Sequence, residues 1–203
     1  MNEVNTRREI RASMRKKRRE LSPQRQRCHA EAVAGHIVNH PLFHCTHRIA
    51  CYLPANGEID PIHIMEAAWR RGKHVYLPVL SALGHSLLFA PYHPNSDLKK
   101  NRYGILEPST PLRHCLRARH LQLILMPLVA FDSRGNRLGM GGGYYDRSLA
   151  FRRHQKNRKS PKLIGLAHDF QRVAQLPFEA WDVPLDAIVS ERRIYPTDQT
   201  LQT

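Results

Sequence analysis

LQLILMPLVAFDSRGNRLGMGGGYYDR, residues 121–147, sets three kinds of backbone in a row. Leu121 to Phe131 is an apolar run with the length and composition of a strand. A polar turn around Asp132, Ser133 and Gly135 follows, and then four glycines in five residues, Gly139, Gly141, Gly142 and Gly143, with Met140 among them. The helix-compatible segment YYDRSLAFRR starts directly after. Strand, glycine-rich turn and helix start bring bare N–H groups up to a phosphate. Glycine removes the Cβ that would hold a ligand off, and a helix N-terminus adds donors and partial positive charge. No Gly-Lys-Ser/Thr follows, so this is not the Walker sequence, and Tyr144 stands where the dinucleotide fingerprint has its third glycine. On these residues alone, a tight turn without a ligand stays beside the phosphate cradle as an alternative.

Working outward, residues 3–20 are polar and basic, with Ile10, Met14 and Leu21 at roughly helical intervals. That is an amphipathic helix with a narrow apolar stripe, and Lys16, Lys17, Arg18 and Arg19 read as its solvated face. Ser22-Pro23 is an N-cap followed by proline at the first helical position, which predicts a second helix to about Asn39. Arg48 to Pro54 reads as a buried strand left through the turn ANGE, and Asp60-Pro61 opens a helix that Gly72 closes. KHVYLPV and HSLLFAPY are two further strands, 94–119 is irregular, KLIGLAHDF is another strand, and DVPLDAIVSE supplies the last. Strand–helix–strand order predicts parallel pairing with right-handed crossovers. The expected fold is one α/β domain over 1–203, three-layered, with a mainly parallel central sheet, mixed at one edge, flanked by helices.

At 203 residues the chain can bury a full core without disulfides or structural metal. No apolar stretch reaches the ~20 residues of a membrane span, and the start has no apolar signal region. Glu3, Glu9 and Glu20 interrupt the basic start, unlike a mitochondrial transit peptide, so a cytoplasmic location is expected. Cys28, Cys45, Cys51 and Cys115 form no C-x-x-C pair and read as reduced thiols. His36, His40 and His44 stand one helical turn apart, but no carboxylate is near enough in sequence to complete a metal site. Lys plus Arg is 32 against 17 acids, a net charge of +15, which attracts polyanions. Neither an RNA-binding aromatic pattern nor a zinc-finger spacing accompanies that charge.

The segment from Met126 to Arg147, MPLVAFDSRGNRLGMGGGYYDR, resembles the signature of the 5-formyltetrahydrofolate cyclo-ligase (methenyltetrahydrofolate synthetase) family. RREIRASMRKKRREL resembles the family's basic first helix, and YLPANGEID (Tyr52–Asp60) its folate-side loop. YGILEP (Tyr103–Pro108) and PLDAIV (Pro184–Val189) extend the likeness over most of the chain.

The resemblance implies an ATP- and Mg²⁺-dependent ring closure of 5-formyltetrahydrofolate to 5,10-methenyltetrahydrofolate, releasing ADP and phosphate. It implies ATP binding by Arg7, Arg11, Arg137, Leu138, Gly139, Met140, Gly141, Gly142, Gly143, Tyr144 and Tyr145. Leu53, Glu58, Tyr144 and Tyr145 would bind the folate, Tyr144 and Arg137 would act at the reacting centre, and Asp146 and Asp186 would hold Mg²⁺. Arg7 stands where the family commonly has lysine, which keeps the charge and changes the geometry. The partners are then small molecules and the expected state a monomer, with neither membrane nor nucleic acid. ATP and a folate with a glutamate tail are themselves polyanions, so the net charge fits this reading too. Two alternatives stay beside it, a basic nucleic-acid-binding protein with a vestigial nucleotide pocket and a non-catalytic folate-binding regulator.

Overall fold

The structure, a computed structural model, describes residues 6–81, 86–154 and 160–197. Residues 3–5 of the predicted first helix, His85 of a predicted strand and 155–159 of the basic segment after the glycine turn lie outside them. The helices are α1 (Arg7–Glu20), α2 (Pro23–Val38), α3 (Pro41–Cys45), α4 (Ile62–Arg70) and α5 (Tyr144–Ser148). The strands are β1 (Arg48–Ala50), β2 (His74–Leu80), β3 (Leu87–Pro91), β4 (Leu98–Lys100), β5 (Leu106–Pro108), β6 (Leu123–Pro127), β7 (Ala130–Phe131), β8 (Arg137–Leu138), β9 (Lys162–Leu166), β10 (Ala187–Val189) and β11 (Ile194–Pro196).

Among the described residues the central sheet has seven strands in the order β11-β10-β9-β6-β1-β2-β3. The five inner strands are parallel, while β3 runs antiparallel to β2 and β11 antiparallel to β10. The sheet is therefore mixed at both edges. The chain leaves β1 toward β2 on one side and later returns through β6 on the other, so strand order reverses between β1 and β6. In open α/β sheets that reversal opens a crevice at the carboxyl ends of the strands.

Period-two alternation sends successive side chains to opposite faces. Ile49, Leu123 and Leu125 pack into one core with Val33 and Ile37 of α2 and Ile64 and Met65 of α4. Ala50, Ile124 and Met126 pack into the other with Phe131, Leu149, Val183 and Leu185. Long helices cover the first face only. Short elements cover the second, including α5 and a 3-10 turn at Ala118–His120, where the sequence suggested a full helical layer.

The apolar run 121–131 is not one strand. It breaks after Pro127 and resumes as β7, which pairs antiparallel with β8. Asp132 makes that hairpin turn rigid: buried, it accepts hydrogen bonds from the N–H groups of Arg134 and Asn136 on Oδ1, and from Asn136 Nδ2 and the Leu176 N–H on Oδ2. Gly135 takes φ 80°, and a Cβ there would stand 2.9 Å from the Leu185 carbonyl oxygen. Helix α1, started by a Thr6–Glu9 capping box, lays Ile10 and Met14 against Val129, Ala130, Leu138 and Leu176. The first helix is thereby fixed against the hairpin that leads into the glycine turn.

Candidate active site

A cleft of about 860 Å³ opens where strand order reverses. Leu53 beyond β1, Pro78 and Leu80 of β2, and Pro127 and Leu128 at the end of β6 form its floor. The glycine turn 139–143, α5 and the first turns of α1 form one wall, and the Tyr52–Glu58 loop forms the other. Arg7, Arg11, Arg137, Arg147 and Arg153 all line it, so part of the basic excess converges on this one concavity.

The glycine turn is held by its carbonyls. Arg11 Nε donates to Gly139 O at 2.8 Å, Arg147 Nη2 to Gly142 O at 2.7 Å, and Arg15 Nη2 reaches Met140 O at 3.5 Å. Among the described residues, no hydrogen bond is donated by the N–H of Gly139, Met140, Gly141, Gly142 or Gly143. Gly141 and Gly143 sit at φ 107° and 62°, where an L side chain is strained. Helix α5 is one turn of five residues followed by a 3-10 turn, shorter than YYDRSLAFRR suggested, so the open donors belong to the turn rather than to a long helix.

Below the turn, Arg137 Nη2 donates to Asp146 Oδ1 at 2.6 Å, and the Val183 N–H reaches the same oxygen at 3.2 Å. No hydrogen bond to Asp146 Oδ2 occurs among the described residues. Arg137 Nε and the Tyr145 hydroxyl are buried without a hydrogen-bond partner among them. Burial keeps the Tyr145 phenol protonated well beyond its ordinary range, so it is an orphaned donor at the cleft. The Tyr144 hydroxyl lies 2.6 Å from that of Tyr103 and 3.2 Å from Arg102 Nη2, and these two bonds lower its phenol below the ordinary value. Arg7 pairs with Asp182 at 2.5 Å and donates to Pro177 O.

On the opposite wall, Glu58 Oε2 accepts the Ala55 N–H at 3.1 Å and Oε1 faces Arg18 Nη1 at 3.4 Å. Burial raises the Glu58 carboxyl, and Ala55 and Arg18 only partly offset it. Arg18 is fully buried, which corrects its reading as a solvated cation. It stands four residues after Met14 and eight after Ile10, on the apolar stripe itself, and that spacing was the available signal.

Fourteen of the fifteen residues that the resemblance singles out line this cleft, namely Leu53, Glu58, Arg7, Arg11, Arg137 to Asp146 without a break. Asp186 does not. It precedes β10, at the amino ends of the parallel strands, where both its oxygens accept from Arg152 Nη2 and Oδ2 also accepts the Leu163 N–H at 2.7 Å. A carboxylate so occupied is a buried structural anchor, and its assignment to a metal is set aside. Tyr52 and Tyr103, which open the segments YLPANGEID and YGILEP without a role of their own, also line the cleft, and the sequence reading missed Trp181 and Asp182. These four residues come from three separate segments, and tertiary structure brings them together.

A family model described as the 5-formyltetrahydrofolate cyclo-ligase family matches residues 3–191. The 5-formyltetrahydrofolate cyclo-ligase of Escherichia coli (strain K12) is 42% identical over 183 residues, covering 90% of this chain and 98% of that protein. The Haemophilus influenzae protein of the same name is 41% identical over 180 residues, covering 88% and 94%. Among solved structures, the NMR structure of Aquifex aeolicus 5,10-methenyltetrahydrofolate synthetase superposes with a TM-score of 0.78 at 30% identity, over 95% of this chain and 93% of that one. With a glycine-turn cleft at the strand reversal and likeness along nearly its whole length, the chain belongs to the 5-formyltetrahydrofolate cyclo-ligase family.

Proposed function

We propose that this protein converts 5-formyltetrahydrofolate to 5,10-methenyltetrahydrofolate, consuming ATP with Mg²⁺ and releasing ADP and phosphate. The observation that carries this reading is the run of undonated N–H groups at 139–143, set among five arginines and facing a wall with a buried carboxylate. One side suits a polyphosphate, and the other suits the amino-pyrimidinone edge of a pterin, to which Glu58 would accept two hydrogen bonds.

The chemical difficulty is that an N5-formyl group is an amide, whose oxygen leaves poorly. Transfer of the γ-phosphoryl group to that oxygen, with ADP departing, gives an imidate-like phosphate. N10 of the same folate attacks the formyl carbon, the carbon–oxygen bond breaks, and phosphate leaves. Both reacting groups belong to bound substrates, so the protein supplies position and charge. Arg11 fixes the turn through Gly139 O and brings a cation to the phosphates, while Arg137 holds Asp146 in place from below. Tyr144 and Tyr145 would flank the formyl group, and the protonated Tyr145 hydroxyl is suited to donate to it.

The donor set suits Mg²⁺, which takes one or two carboxylates and completes its shell with phosphate oxygen and water. Asp146, with no hydrogen bond to Oδ2 among the described residues, would hold it, and the ion would neutralise phosphate charge.

The test is absorbance at the methenyl-folate band after mixing the protein, Mg-ATP and 5-formyltetrahydrofolate at neutral pH. A rise that needs both ATP and Mg²⁺ is expected. No rise from folded protein overturns the assignment.

A further inference from the structure

The cleft uses the carboxyl ends of β1, β2 and β6. Farther along the same sheet edge, beyond β9 and β10, stands a second group of ligating side chains that the folate reading does not use. His168 follows β9, Glu191 follows β10, and His29 reaches them from α2. One ligand atom from each lies within 4.8 Å of the other two. We propose that His29, His168 and Glu191 form a binding site for a zinc-class divalent transition-metal ion, separate from any Mg²⁺ that accompanies ATP.

Proton positions support this. His168 Nε2 lies 3.0 Å from the Gly57 carbonyl oxygen, which can only accept, so Nε2 carries the hydrogen. In the neutral ring Nδ1 then presents a lone pair. A ligating histidine that gives its other N–H to a backbone carbonyl is the usual second-shell arrangement of protein metal sites. Here that arrangement is built and the histidine is fully buried.

The lone pair points at the Nδ1 of His29, 2.9 Å away, and the same His29 atom lies 3.8 Å from Glu191 Oε1. Metal–nitrogen and metal–oxygen bonds of about 2.0–2.2 Å in a tetrahedral shell put ligand atoms about 3.3 Å apart. The two separations made by His29 straddle that value and the third is within 4.8 Å, so a shift of the Glu191 carboxylate toward His168 completes three corners. The Asp169 N–H donates to the other Glu191 oxygen at 2.9 Å and fixes the carboxylate in turn.

Two imidazoles and one carboxylate favour Zn²⁺ and its neighbours over Mg²⁺ or Ca²⁺, which seek all-oxygen shells. His29 and Glu191 are partly solvent-exposed, which gives the ion a path in, and three protein ligands leave a position for water. No sequence motif announces the site, because 139 residues separate the two histidines.

The experiment uses the full chain stripped with a chelator. Zn²⁺ alone is titrated in competition with a chromophoric chelator, and Co²⁺ alone is followed by its visible d–d bands. The expected result is one tight site with the intense bands of a tetrahedral N/O shell. His29→Ala and Glu191→Gln should each weaken binding by ~10-fold or more and dim the bands, with melting of the metal-free proteins reporting that both are folded. His36→Ala, on the same helix, should bind like the wild type. A wild type that binds no Zn²⁺ overturns the site, as does equal binding in both ligand variants or an equal loss in His36→Ala. None of these readouts depends on folate turnover.

Discussion

Asp146 and Asp186 carry the same side chain and each pairs with an arginine, yet they belong to different parts of the machine. Asp186 sits at the amino ends of the parallel strands, with Arg152 and the Leu163 N–H on its oxygens and Lys162 at 3.8 Å. Asp146 sits in the cleft at the opposite ends, with both hydrogen bonds from described residues on a single oxygen. A saturated carboxylate holds the fold, and one with an oxygen to spare can serve a ligand. Placement on the sheet separates the two roles.

The largest effect expected from this contrast is on stability. Asp186→Asn leaves the buried Arg152 without its counter-charge and should cost about 3–5 kcal/mol, read by chemical denaturation, while the surviving folded enzyme keeps its Mg²⁺ dependence. A fold of unchanged stability would return Asp186 to the list of ligand residues. Asp146→Ala should do the reverse, melting near the wild type and losing ATP-dependent turnover by ~10²-fold or more. Near-normal rates at saturating Mg²⁺ would make the two aspartates alike.

Glu58 sharpens the contrast because it stands between the classes, anchoring Arg18 on one side and lining the cleft on the other. Glu58→Gln should weaken folate binding by ~10-fold or more and leave nucleotide binding alone, since a charge-assisted pair is lost. Its raised pKa gives a second readout. Protonation sets in above the ordinary carboxylate range, so folate affinity of the wild type should fall as pH drops toward that range. The fold holds this proton more tightly than the unfolded chain does, so burying Glu58 costs stability as pH rises through its raised pKa. A calorimetric pH series on both proteins checks this, and parallel profiles would remove Glu58 from the folate wall. The smallest effect is expected of Arg11→Ala, which removes the 2.8 Å bond to Gly139 O and should lower ATP affinity by ~10-fold. Unchanged affinity would mean that the turn keeps its shape without this brace.

What the residues disclose follows the range of the physics. Ser22-Pro23 caps α2, and Gly72 at φ 66° ends α4, because caps and breakers act over a few neighbours. The sheet was legible from its apolar runs, but the split of 121–131 into β6 and β7 was not. From Leu123 to Phe131 the run is apolar without interruption, and the break is imposed by pairing with β8 and by the contacts of Asp132. Strands β4, β5 and β11 are three residues each, too short to show a period. In the cleft, the glycine turn announces itself, while Trp181 and Asp182 carry no local signal and arrive only through tertiary structure. Arg18 was hidden by its type, since a cation on an apolar stripe is read as surface.

The pairing of Arg7 with Asp182 spans 175 positions and ties the first helix to the last part of the described chain. A ribosome releases α1 long before the residues it packs against exist. Ile10 and Met14 then await Val129, Leu138 and Leu176, and the cleft wall awaits Trp181 and Asp182. A nascent chain halted before β9 has its glycine turn and its basic helix but lacks Trp181 and Asp182, so the cleft is completed late in synthesis. Contacts of such separation also slow folding after release, and the interval is one in which a basic amphipathic helix stays uncovered.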